Sequence, residues 1–158
     1  MADDDEALKA FLQRHPWSPE LLALGRPLEF LWRVDVKAPI ERVWPLLVDT
    51  SRVNRFIGVS EMQYQERGGA LHGSTVNGGV RQEWVELPWE WIAGRLVYAM
   101  RRYSRGFSHV VRFFYEADVH EGGVTVGVYF GWIPRSLYGR FCLRIGAASM
   151  ERGYRASL

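Results

Sequence analysis

Few side chains in this sequence have the means to do chemistry. His109 lies in the stretch GFSHVVRFFY, two residues before Val111 and four before Phe113, so strand alternation would set it on their face. A neutral imidazole among apolar neighbours suits general-base work or the anchoring of a ligand hydroxyl; a core histidine satisfied by backbone fits the same pattern. Tyr98, Tyr103 and Tyr115 carry hydroxyls able to polarise a ligand carbonyl, and Arg101 or Arg102 could hold an enolate or carboxylate. Adjacent strand residues point to opposite faces, so at most one of the two arginines faces inward. His109, Tyr98 and Arg101 are therefore the catalytic candidates. The same alternation sets Glu83 and Glu86 on opposite sides of their strand, which argues against a cooperating carboxylate pair.

Other chemistries are excluded by what is missing. His15, His72 and His120 fall in separate segments without metal-ligand spacing, so neither a metal nor a cofactor is expected. There is no serine nucleophile elbow, Walker loop or Rossmann glycine pattern. The stretch GGALHGSTVNGG is glycine-rich, but no helix follows to receive a phosphate. The net charge of +2 hides an acidic start (DDDE) and a basic later half with Arg95, Arg101, Arg102, Arg105, Arg112, Arg135, Arg140, Arg144, Arg152 and Arg155. These arginines are spread singly and read as a solvated face, with no nucleic-acid partner expected. A single cysteine, Cys142, precludes an internal disulfide and favours a reducing compartment, with the cytoplasm as the expected location. No run approaches the roughly 20 apolar residues a membrane span needs, and the N-terminus is acidic where a secretory signal would be basic.

The elements that must position these residues follow from periodicity. The chain has 158 residues, 47% apolar and 14% aromatic, enough for one domain with a real core. Residues 1–27 read as an N-terminal extension of two short helices without an active site. Pro16 ends the first; Ser18 caps the second, with Pro19 at its first position and Gly25 past its end. In LEFLWRVDVK the period becomes two, with Phe30, Trp32, Val34 and Val36 on one face. APIERVWPLLVD returns to helical spacing, and Pro45 is expected to kink or shorten that helix. DTSRVNRFIG predicts a second short helix, capped by Asp49 or Thr50 and stopped by Gly58. Thereafter EMQYQER, ALHGSTV, VRQEWVE, WEWIA, RLVYAMRRY, SHVVRFFYEADV and VTVGVYFGW predict strands joined by glycine-rich turns, a meander. The last segment, RSLYGRFCLRIGAASMERGYRASL, predicts a long amphipathic helix whose contact face is Leu137, Phe141, Ile145 and Ala148. A second apolar row, Leu143, Ala147, Met150 and Tyr154, would await a partner or a longer polypeptide; a frayed terminal helix is the alternative.

This order of elements resembles the START-like, helix-grip (SRPBCC) superfamily, and within it the polyketide cyclase/dehydrase-like members. The resemblance is carried by APIERVWPLLVDTSRVNRFIG, WVELPWEWIAGR and the C-terminal helix, and it covers residues 28–158. It implies an α+β fold with a curved antiparallel sheet of about seven strands wrapped on the long last helix. The helical extension together with this domain also resembles the N-terminal region of some bacterial class III adenylate/guanylate cyclases. That likeness implies a C-terminal catalytic domain, although no cyclase catalytic residue is present; a homodimer partner is the expectation if the second apolar row of the last helix serves as a contact surface.

A sheet bent that strongly leaves a hollow that only large inward side chains can line. The stretch RQEWVELPWEWIAGR, with Trp84, Trp89 and Trp91 around Pro88, supplies bulk where two strands turn. Alternation nominates as ligand-binding residues Trp32, Val34, Trp84, Trp91, Tyr98, Met100, Val111, Phe113, Val128 and Phe130, with Phe141 and Ile145 from the helix. The expected function is binding of a hydrophobic or lipid-like small molecule in this aromatic cavity, as the sensory or regulatory part of a larger signalling protein. The alternatives are an enzyme of the cyclase/dehydratase type, and an interaction module using the second helical row.

Overall fold

The computed structural model describes residues 2–49, 54, 58 and 60–157, and its strands form a single antiparallel sheet. The strands are β1 (Leu28–Val36), β2 (Gln63–Arg67), β3 (Ala70–Asn77), β4 (Val80–Glu86), β5 (Glu90–Ile92), β6 (Leu96–Arg105), β7 (Ser108–His120) and β8 (Gly123–Pro134). They lie in the order β1-β8-β7-β6-β4-β3-β2, and β5 pairs with β6 off this path. From β2 onward the order is a meander, as the hairpin glycines require. Gly78 and Gly79, with φ of +56° and +76°, supply the left-handed pair that joins β3 to β4. β1 alone breaks the sequence: it pairs with the last strand, Leu28 opposite Trp132 and Val36 opposite Val124.

Helices cover both faces. α1 (Ala2–Arg14) and α2 (Pro19–Leu22) lie on one, where Phe11 packs with Phe114 and Tyr129, and Trp17 and Leu21 pack with Val110 and Ile133. Ser18 and Pro19 open α2 in the expected positions. α3 (Ile40–Val48) and α4 (Leu137–Ser157) lie on the other face and share the main core with Trp32, Val97, Phe113, Val128 and Phe130. The central strands are therefore apolar on both sides, and β7 is buried continuously from Val110 to Tyr115.

Pro45 neither ends nor shortens α3, which continues to Val48. Pro45 and Glu41 are both exposed, so the Glu41 carbonyl that loses its amide partner can turn to water. The short helix expected over residues 49–58 falls, apart from Asp49, Asn54 and Gly58, outside the described residues. α4 presents the opposite face from the one expected. Leu143, Ala147, Met150 and Tyr154 pack on the sheet, while Leu137 and Phe141 stand 87% and 63% exposed. Small residues decide this: Gly139 brings the helix against the β6–β7 turn, where a Cβ would lie 2.7 Å from the Phe107 carbonyl oxygen.

Candidate functional site

α4 packs along β1 and β8 and diverges from β3 and β4. The gap is a cavity of about 500 Å³. Its walls include Val111 and Phe113 from β7, Phe130 and Trp132 from β8, and Leu143, Met150 and Tyr154 from α4. Opposite them Thr75, Asn77 and Gln82 bring polar groups from β3 and β4. The space persists partly because Gly146, on the helix wall, has no side chain: a Cβ built there meets no atom within 4 Å.

Arg101 and Tyr103 form the polar end of the cavity. Arg101 is fixed from behind by Glu86, which does not itself line the cavity. Arg101 Nε donates to Glu86 Oε1 at 2.7 Å, and Trp84 Nε1 and Trp89 Nε1 donate to the same carboxylate at 3.0 and 3.3 Å. Tyr64 joins the group, donating to Glu86 at 3.4 Å and accepting from Arg101 Nη2 at 3.2 Å. The Arg101 guanidinium stacks between Trp84 (5.1 Å) and Phe113 (5.5 Å). Beside it the Tyr115 and Tyr154 hydroxyls share a hydrogen bond of 2.5 Å. Burial pushes the Tyr115 hydroxyl up to about 12 and raises Tyr154 well above the usual phenol value. Burial raises Tyr103 as well, against the pull of Arg101. At neutral pH all three phenols are protonated, so the polar end of the cavity is a set of hydrogen-bond donors in an aromatic bowl.

No protein-family model matches the sequence, and no curated protein matches it. Solved structures do match. The Zhui aromatase/cyclase from Streptomyces sp. R1128 aligns with TM-score 0.65 at 11% identity, covering 84% of this chain and 91% of its own. The di-domain ARO/CYC StfQ of the steffimycin biosynthetic pathway aligns with TM-score 0.60 at 10% identity, over 83% of this chain and 50% of its own. Ara h 8.0201 aligns with TM-score 0.54 at 11% identity, over 84% of this chain and all of its own. The chain has the helix-grip fold. At these identities the likeness concerns architecture alone.

Within the helix-grip frame the nominated residues separate into groups. Val111, Phe113 and Phe130 are cavity walls, and Arg101, Tyr103 and Tyr115 are its polar groups. Trp32, Val34 and Val128 are buried on the same side of the sheet but serve as core beside the cavity. Trp84 is 1% exposed and packs flat over Gly73, where a Cβ would fall 2.2 Å from the indole. Trp91 is half exposed on the short β5 and packs edge-on against Trp44 at 5.8 Å. It closes one end of the sheet rather than lining the cavity.

Four further residues are placed otherwise than expected: Tyr98, Met100, His109 and Phe141. Tyr98 and Met100 point to the other face, where Tyr98 packs on Phe114 and Met100 joins Trp17 and Val110. The inward set of β6 is Val97, Ala99, Arg101 and Tyr103. The run LVYAM is apolar at every position, and α1 and α2 make the far face as dry as the near one, so alternation carried no sign. His109 sits where the β7 register shifts between Ser108 and Val110, out of the alternation. It lies outside the cavity lining; its modest burial, and after that Arg135, push its pKa down. Phe141 faces outward, 63% exposed and outside the cavity lining, whereas Ile145 does line the cavity, at its rim.

Glu86, Tyr154, Trp132, Leu143 and Met150 were missed as site residues. Glu86 had a readable signal: it sits two residues from Trp84 on one strand face, and it lies directly across from Arg101 in the β4–β6 pair. Nor are all the arginines a solvated face. Arg101 and Arg112 are 8% and 3% exposed, one on each side of the sheet. Arg112 stacks on Trp17 at 3.9 Å, and Trp17 and Tyr129 both donate to Glu29 at 2.7 Å. The group under the N-terminal helices thus repeats, on the far face, the chemistry of the Arg101 group.

Proposed function

We propose that this protein binds a hydrophobic, ring-bearing small molecule in the cavity beneath α4, with one neutral oxygen of the guest directed at Arg101 and Tyr103. The observation that carries this reading is an aromatic-walled cavity of about 500 Å³, the size of ordinary ligand sites, ending in clustered donors. The preference for a neutral oxygen follows from charge: Glu86 already compensates Arg101, so a carboxylate guest would leave a net negative charge in a poorly solvated site. A ketone accepts hydrogen bonds there without adding charge, and a phenol does the same while its own O–H can donate to a neighbouring tyrosine oxygen.

Native mass spectrometry of freshly purified protein should reveal a bound small molecule. In titrations followed by tryptophan fluorescence, naphthol should quench more strongly than naphthoate. Gly146→Phe, which places a ring in the open space on the helix wall, should abolish both signals. Empty wild-type protein that neither quenches nor distinguishes the two probes would overturn the proposal.

A second reading, an enzyme of the cyclase/dehydratase type, is favoured by the convergence of Arg101, Tyr103, Tyr115 and Tyr154 and by two matched structures being named aromatase/cyclase. In that case the cluster would act by stabilising an enolate through hydrogen-bond donation. We place the binding activity, on the resemblance to the region preceding bacterial nucleotide cyclase domains, in a larger signalling protein. A ligand-dependent change in the output of the full-length gene product tests that placement.

A further inference from the structure

We propose that the outward face of α4 is a docking surface for an anionic membrane. The helix exposes Leu137 at 87%, Tyr138 at 68%, Phe141 at 63% and Ile145 at 60%. At 100° per residue these four fall within one arc, with Leu137 and Phe141 directed away from the sheet and Tyr138 and Ile145 at the edge that borders the cavity opening. The stripe continues onto the β6–β7 turn, where Phe107 lies 6.3 Å from the Tyr138 ring. So much apolar surface on one exposed helix requires an explanation, because α4 has already buried its other row in the core.

Charge identifies the occupant. Of the arginines at this end, Arg135 and Arg140 are spent on backbone carbonyls, and Arg155 is paired with Glu151. Arg144 and Arg152 project from the same outward side with no carboxylate partner among the described residues. Phenylalanine, leucine and tyrosine flanked by unpaired arginines are the composition of a helix that lies in the interface of anionic lipid. A second copy of this chain fits poorly, since a two-fold contact would bring Arg144 and Arg152 against their equivalents. A folded acidic partner would need a concave seat or a matching groove. The stripe is a convex row of projecting side chains, which a fluid surface accommodates without one.

The position of the stripe adds an argument that rests on the proposed function. Tyr138, Ile145 and Ser149 line the cavity, so a docked helix would hold its opening against the hydrocarbon boundary. An apolar guest could then pass between bilayer and cavity without crossing water.

The test is flotation with vesicles of phosphatidylcholine alone and of phosphatidylcholine mixed with phosphatidylglycerol. The wild-type protein should float with the mixed vesicles and lose binding as salt is raised. Arg152→Gln should weaken this about fivefold. Leu137→Ser combined with Phe141→Ser should abolish it, with circular dichroism unchanged because neither side chain contributes to the core. Neither residue lines the cavity, so naphthol quenching should survive in this double variant, and failure of docking is separable from failure of ligand binding. Wild-type protein that stays at the bottom of the gradient overturns the proposal. So does a double variant that floats like wild type, or a wild-type dimer dissociated by Phe141→Ser.

Discussion

Glu86 shows how much one residue can organise. The tryptophans of RQEWVELPWEWIAGR are not a simple greasy lining: Trp84 and Trp89 aim their indole nitrogens at its carboxylate, and Arg101 completes the arrangement. Removing one partner of a buried ion pair costs more than the pair contributes, because the survivor stays desolvated. Glu86→Ala should therefore lower stability by about 3–5 kcal/mol, read as a lower urea midpoint. Gly73→Ala tests the same corner by volume. The new methyl would drive into the Trp84 ring, and overpacking of this kind costs about 1–3 kcal/mol. The inward placement of Trp84, Val111, Phe113 and Phe130 was legible from alternation. Their division into walls and core was not, because it depends on where α4 leaves the sheet.

At the level of elements, strand boundaries were readable nearly to the residue, since glycine turns and apolar runs coincide. Facing was secure where one side of an element is polar; where both sides are apolar it carried no sign, and of such elements β7 was assigned correctly while others were reversed. β1 alternates LEFLWRVDV and was oriented correctly; β6 and α4 have two apolar sides and were turned over. The N-terminal extension is the physical cause on β6, because it dries the far face. Phe11 stacks on Tyr129 at 4.4 Å and meets Phe114 edge-on at 5.0 Å, so Phe11→Ala should cost about 3–5 kcal/mol in a denaturant melt. On α4, Gly146→Ala adds a methyl into open space at a helical position. It should raise stability by about 0.5–1 kcal/mol, seen as a higher melting temperature.

The whole molecule carries an alkaline limit. Tyr115 and Tyr154 are buried and Tyr103 is partly buried, all with raised values, Tyr115 to about 12. A native value above that of the unfolded chain means the folded state favours the protonated form. The resulting stabilisation is complete below the ordinary phenol value of about 10 and is lost as pH climbs toward about 12. Phenolate absorbance should therefore rise late, Tyr138, the most exposed ring, first, and the buried set together with loss of the circular dichroism signal. Early, independent titration of every tyrosine would contradict the buried arrangement.

The pairing of β1 with β8 governs how the chain reaches this state. The first strand emerges during synthesis with its sheet partner still untranslated, and Trp32 stays without Val128 and Phe130 until β8 arrives. Long-range closure of this kind is slow relative to hairpin formation, so β2 to β7 can zip together first and β1 dock last. In refolding, Trp32 emission should trail the growth of sheet signal. Until then the apolar edge of β8 is open to a neighbouring nascent chain, so yields should fall with protein concentration and recover when refolding is done dilute.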